Sequence, residues 1–435
     1  MKGEKLLRAI GLVEDDLILE ADVPPAPKKK KTVSWRWLSL AACAVLACMA
    51  TLLLRTGGYS SAAPEAGAEA LDENALQGQR PGPGAGGAEA GPAPFALGES
   101  GSGGFGFEGL LEFAPSELEQ GCPWRPGDQV DSLPVYKNGS SLYLSGVAQF
   151  TLDAPQMEAR LRELAAKLGY TVKEIEVYPS ENQVEEMKQK LGDADDLTIE
   201  LNTRPSRVTA ECDGAVLRVD TGGDLTVEFS EPVSLPAGYC FSADATAEEA
   251  QQAVRYLWSI YGEPLGLAQP APRLFLDYTY EGKPHREFAV FDGSGDLADR
   301  LLQFSLGGLT FWDDEQGRLY GFRLSGTDVV GEKLGDYPVL SYEEAKELLA
   351  QGSCFTSVME DFPGVERLAY TELVYRVSSG VVAPYYRFLV ELPTLEMENG
   401  LKTYGAYYVP AVESAYITDL PAAQWGYTAP KMPQQ

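Results

Sequence analysis

Along the C-terminal two-thirds of the chain, apolar residues recur first at helical spacing and then at every second position, three times over. Met157, Leu161, Leu164 and Leu168 share one face of a helix predicted over 155–168, which Gly169 stops. Residues 171–178 alternate as a strand, and 181–191 read as a second, polar helix. Strands are predicted at 197–203, 206–212, 215–220 and 224–230, with Asp213-Gly214 and Gly222-Gly223 as tight turns. The second block opens with a helix over 246–261, capped by the Thr246/Glu249 pair. Strands follow at 273–280, 286–291, 301–312 and 318–324. The third has a helix over 342–349, capped by Ser341/Glu344, and strands at 368–377, 384–392 and 402–411. Helices leading groups of antiparallel strands form an α+β pattern rather than a parallel-sheet one. A subdomain boundary is expected near residue 242, giving subdomains at 121–241 and 242–428 and a short tail at 429–435.

The N-terminal third follows other rules. Leu6, Ile10, Val13 and Leu17 form the stripe of an amphipathic helix over 4–20, within a cytoplasmic segment expected over 1–34. From Trp37 to Leu54 there are 18 residues without a charge, and residues 35–55 are expected to cross a bilayer as one helix. Lys28–Lys31 and Arg36 precede this segment. The positive-inside rule therefore places the N-terminus in the cytoplasm and the long C-terminal part outside. Two other fates stay open. A cleaved leader would use Ser60-Ser61-Ala62 at best, and Leu40-Ala41-Ala42-Cys43 and Val45-Leu46-Ala47-Cys48 resemble lipoboxes, leaving lipoprotein processing at Cys48. Residues 56–120, rich in Gly, Ala and Pro, read as a disordered stalk, with Phe105, Phe107, Leu110, Leu111 and Phe113 near its end available to dock onto the folded part.

Charge narrows the partners. The chain carries a net charge of −29, and residues beyond 55 hold 26 basic and 58 acidic side chains. Such an exterior repels nucleic acid, so none is expected as a partner. Cys122, Cys212, Cys240 and Cys354 lie outside the membrane segment, and their pairing is open.

Chemical motifs are few. His285, the only histidine, rules out histidine-rich zinc sites. No Gly-x-Ser-x-Gly elbow exists for it to serve. Asp292-Gly293-Ser294-Gly295-Asp296 looks like the start of a calcium loop, but Leu297 and Gln303 stand where an EF-hand needs Gly and Glu, so a solvated turn is expected. No catalytic residue, metal or cofactor is expected. The late strands are rich in tyrosine, and alternate tyrosines on a strand face opposite sides. Tyr385, Tyr386, Tyr407 and Tyr408 are therefore the candidate partner-binding surface.

Tyr337-Pro338-Val339-Leu340-Ser341-Tyr342-Glu343-Glu344-Ala345-Lys346-Glu347-Leu348-Leu349, Glu372-Leu373-Val374-Tyr375-Arg376, Pro384-Tyr385-Tyr386-Arg387-Phe388 and Tyr407-Tyr408-Val409-Pro410-Ala411 together resemble PepSY-like modules. They are also similar to the exterior domains of the YycH and YycI type, single-pass regulators of a sensor kinase in Gram-positive bacteria. The resemblance covers segment 337–411. It implies a helix packed on antiparallel strands and carries over no catalytic residue. The expectation is a non-enzymatic, single-pass cell-membrane protein whose extracytoplasmic domain binds an envelope or membrane protein or a peptide, regulating an envelope signalling system. A carboxylate-based envelope hydrolase and an acidic cation-binding spacer are the alternatives.

Overall fold

The computed structural model describes residues 91–98, 110–113, 118, 121–140, 143–144, 148–149 and most of 151–420. All fall in the second of two units into which the chain divides, residues 90–435. The helix expected over 4–20, the membrane span expected over 35–55 with Cys43 and Cys48, the turn expected at 281–283 and the tail expected over 429–435 lie outside the described residues. Among the described residues no helix is long and apolar enough to cross a membrane.

In chain order the strands are β1 (Leu110–Phe113), β2 (Ser132–Asn138), β3 (Tyr143–Leu144), β4 (Ala148–Gln149), β5 (Val172–Tyr178), β6 (Arg207–Cys212), β7 (Ala215–Asp220) and β8 (Leu225–Val233), then β9 (Pro270–Tyr278), β10 (Pro284–Asp292), β11 (Gly308–Asp313), β12 (Leu319–Ser325), β13 (Val330–Pro338), β14 (Leu368–Val377), β15 (Val381–Glu391) and β16 (Lys402–Pro410). The helices are α1 (Ala154–Lys167), α2 (Glu181–Leu191), α3 (Asp196–Thr203), α4 (Ala247–Leu257), α5 (Leu297–Leu306) and α6 (Tyr342–Ala350). The molecule is α+β, with helices packed on antiparallel sheets.

Eight strands form one sheet in the order β5-β6-β7-β8-β12-β11-β10-β9. Residue 242 falls inside its span, because β8 pairs with β12 in the register Val227↔Phe322. Each strand from β6 to β8 alternates. Val208, Ala210, Leu217, Val219, Leu225 and Val227 are buried, with half-exposed residues between them. The buried side packs against α1 and α4. Helix α1 starts as its sequence predicts. Asp153 and Gln156 close a capping box, and Met157, Leu161, Leu164 and Ala165 face the sheet.

The second sheet has the order β1-β16-β15-β2-β13, with β14 on β15. Helix α5 packs on β14 and α6 on β16. Its central strands are buried on both sides: every residue from Val381 to Tyr386 is buried, as is every residue from Thr403 to Pro410. Strands covered on both faces are near-continuous apolar runs, and alternation is lost.

The chain departs from sequence expectation in three places. Residues 197–203 form helix α3 rather than a strand. Leu197, Ile199 and Leu201 do alternate, but β5 pairs directly with β6, leaving this segment no place in the sheet. Residues 301–306 belong to helix α5, with β11 only afterwards. Asp296 caps that helix in a box with Asp299, so the motif over 292–296 is a helix start rather than a loop alone. Strands β2 and β13 were not foreseen, since Pro134, Gly331 and Gly335 interrupt their pattern and their pairing shifts register twice.

Part of the expected stalk is packed chain. Phe95 and Leu97 are buried in the core. The Phe95 N–H donates to the Tyr416 carbonyl at 2.9 Å, and the Thr418 N–H donates to the Phe95 carbonyl at 2.9 Å. The Asp419 carboxylate accepts from the N–H groups of Leu97 (2.8 Å) and Gly98 (2.7 Å). The first described segment is thereby stitched to the last. Further along the expected stalk, Leu110 and Leu111 pair with Gly405 and Tyr404.

Cys122, Cys212, Cys240 and Cys354 are free thiols. Burial pushes those of Cys122 and Cys354 up to about 12.

Candidate functional site

The four tyrosines expected at a binding surface do not form one. Tyr385, Tyr386, Tyr407 and Tyr408 are exposed by only 1, 2, 3 and 0%. The expectation assumed one solvated face, whereas both faces of β15 and β16 are covered. Phe362 meets Tyr407 edge-on with centroids 5.2 Å apart, and the Arg376 guanidinium lies 4.8 Å from the Tyr408 ring centre. The Tyr386 hydroxyl donates to the Leu340 carbonyl at 2.7 Å. Burial first, then the Glu344 carboxylate, pushes the Tyr386 phenol up to about 12, so it stays a neutral donor.

Tyr386 nevertheless leads to a site. It lines a groove of about 700 Å³ whose walls are residues 126–131, before β2, and residues 338–344, from the end of β13 into the first turn of α6, with Glu413 beyond β16. Each wall is locally determined. Pro126-Gly127 sits at the centre of a turn closed by the Asp128 N–H donating to the Arg125 carbonyl at 3.0 Å, and Gly127 has φ +106°, which a side chain would resist. The Asp128 carboxylate returns to the Arg125 N–H at 2.9 Å. On the other wall the Ser341 hydroxyl accepts from the Glu344 N–H, while the Glu344 carboxylate accepts from the Ser341 N–H (2.8 Å) and hydroxyl (2.7 Å). Those bonds to Ser341 hold the Glu344 carboxyl below its usual range. The walls meet where the Val339 N–H donates to the Asp131 carbonyl at 3.2 Å. Behind the floor, Trp124 meets Tyr386 edge-on, with centroids 5.3 Å apart.

The rim is acidic. Asp128, Asp131, Glu343, Glu344 and Glu413 line the groove and are solvent-exposed, and none of the described residues lining it is Lys or Arg. These carboxylates come from three segments distant in sequence. Only Ser341-x-x-Glu344 carried a local signature; nothing in the pattern of the others foretold their convergence.

No protein-family model matches the chain. No curated protein matches it either.

Among the described residues, the other candidate carboxylates are tied up in structure. Asp220 and Asp224, at the β7–β8 turn, share Arg323 at 3.3 and 2.6 Å, and Asp224 also accepts from the Ser325 hydroxyl and the Gly326 N–H. Burial, then Asp224, pushes the Asp220 carboxyl up. The pair lines neither the groove nor a smaller cavity of about 140 Å³ beside Arg273 and Ser305. In the 292–296 motif the Asp292 carboxylate accepts from the N–H groups of Ala268 (2.8 Å), Gln269 (3.1 Å) and Ser294 (3.0 Å), which serves the loop itself. His285 lies in β10, in register with Asp277 of β9. Among the described residues no group of three or more His, Cys, Asp or Glu could hold a metal ion.

Proposed function

We propose that this is a non-enzymatic, single-pass membrane protein whose extracytoplasmic domain, residues 91–420, binds a protein or peptide partner and so regulates an envelope signalling system. The observation that carries the binding reading is the groove: an open volume of about 700 Å³ over an aromatic floor, within the range of ligand sites. Glu344 suits a rim better than it suits acid catalysis, since a general acid needs its pKa raised and Ser341 lowers this one. The membrane part of the proposal rests on the uncharged run from Trp37 to Leu54 and the lysines before it.

The test treats intact cells making the full-length protein with external protease, then crosslinks untreated cells and recovers the protein with its neighbours. Loss of the domain beyond residue 90, together with a crosslinked membrane or envelope protein, is expected. Full-length product left in the supernatant after ultracentrifugation overturns the membrane reading, and the absence of any crosslinked partner overturns the binding reading.

A further inference from the structure

Resting on that reading, we infer that the groove takes a cationic segment of another protein, an extended stretch in which lysine or arginine alternates with apolar residues. Five carboxylates ring it, and none is paired with a basic side chain among the described residues. At the chain's ratio of 35 basic to 64 acidic residues, five acids would ordinarily bring two or three bases with them. Arg125 and Lys346 adjoin the walls without lining the groove, and Lys346 sits over the Tyr342 ring at 5.8 Å.

One feature pulls the other way: the N-terminus of α6 opens here and would favour an anion. Its dipole is worth about half a positive charge, and Ser341 and Glu344 already close its first turn with their own bonds. Half a charge against five leaves the groove negative. Apolar spacing in the ligand answers the apolar and aromatic part of the lining, Val339, Leu340, Tyr342 and Tyr386.

The occupant is not this chain. Residues 56–109 carry seven acidic side chains and one basic, and the lysines at 28–31 lie on the far side of the proposed membrane. A second copy, at a net charge of −29, is repelled as well.

The experiment titrates a fluorescent peptide of alternating lysine and leucine with the full-length protein in nanodiscs, read by anisotropy. The variant Asp131→Asn/Glu343→Gln/Glu413→Gln removes three exposed rim charges and leaves the Ser341/Glu344 cap intact. Glu181→Gln/Glu185→Gln/Glu186→Gln changes net charge equally on exposed positions of α2. Binding that falls in added salt, weakens roughly tenfold in the rim variant and holds in the α2 variant is expected. Gln129→Lys, which places a positive charge on the wall, should weaken binding too. Equal loss in the rim and α2 variants, or no binding by the parent protein, overturns the inference. It leaves the wider reading standing if crosslinking still captures a partner through another face.

Discussion

The two sheets of this unit are built from the same hydrogen bonds and solve the burial problem differently. In the eight-stranded sheet one face packs on α1 and α4, and the residues between the buried ones on β6 to β8 are half exposed or exposed. In the six-stranded sheet, β15 and β16 have both faces covered, and neighbouring residues such as Tyr407 and Tyr408 are both buried. A strand's period of two says which residues share a face. It does not say whether the second face meets water. That is why a tyrosine-rich strand pair that looked like a display surface is core, and why exposed acids of the connecting segments and of the first turn of α6 define the groove instead.

The strongest way to break this contrast is to truncate neighbouring residues. Tyr407→Ala and Tyr408→Ala each remove a buried aromatic ring and should each cost about 3–5 kcal/mol. On β8, Leu225→Ala should cost about 2–5 kcal/mol, while Thr226→Ala, next to it on the half-exposed face, should stay within roughly 1 kcal/mol. Urea midpoints of the four variants decide it. If either tyrosine variant proves as mild as Thr226→Ala, one face of the six-stranded sheet is not sealed.

Charge pairs sharpen the same comparison. Glu372 and Arg387 stand opposite each other on β14 and β15 at 2.9 Å, with side chains 1% and 14% exposed. Arg218 and Glu228 pair across β7 and β8 with side chains 37% and 27% exposed. Removing one partner of a buried pair strands the other charge. Glu372→Gln should therefore cost about 3 kcal/mol, at the lower end of such losses because Arg387 keeps some contact with water. Glu228→Gln should cost at most about 1 kcal/mol. Replacing both buried partners, as Glu372→Leu/Arg387→Met, should recover much of the loss. A double variant as unstable as Glu372→Gln would show that the pair does more than neutralise itself.

Legibility followed the same division. Helices α1, α4 and α6 were readable because each has a cap and a face within a dozen residues. Strands β6 to β8 were readable because one face is wet. The pairing of β8 with β12 was not, since it joins residues about a hundred apart with no local mark. Helix α5 is masked in the sequence because Leu302, Phe304 and Leu306 imitate a strand, and the informative residue is Asp296, which the sequence pattern places in a solvated turn. Segment 91–98 was hidden because two apolar side chains, Phe95 and Leu97, suffice to anchor a run otherwise composed like a linker. The candidate groove was least legible. Its carboxylates come from three separate segments in a chain where acids are everywhere.

The smallest expected effects test whether local chemistry ignores this contrast altogether. Helix α4 lies on the eight-stranded sheet and α6 on the six-stranded one, and both begin with the same capping box, Thr246/Glu249 and Ser341/Glu344. Thr246→Ala and Ser341→Ala should each cost about 1 kcal/mol. Hydrogen bonds to Thr246 and Ser341 hold the Glu249 and Glu344 carboxyls below their usual range. A depressed carboxyl stabilises the fold above its unfolded pKa, about 4.3 for glutamate, and that contribution disappears as the pH falls through the lowered value. The difference in urea midpoint between the parent and either Glu249→Gln or Glu344→Gln should thus exist at neutral pH and vanish in acid. Equal behaviour of the two helices would confine the contrast to the sheets. If the Glu344→Gln difference instead fades at higher pH than the Glu249→Gln difference, the cause lies in the other four carboxylates around the groove, whose repulsion makes Glu344 easier to protonate.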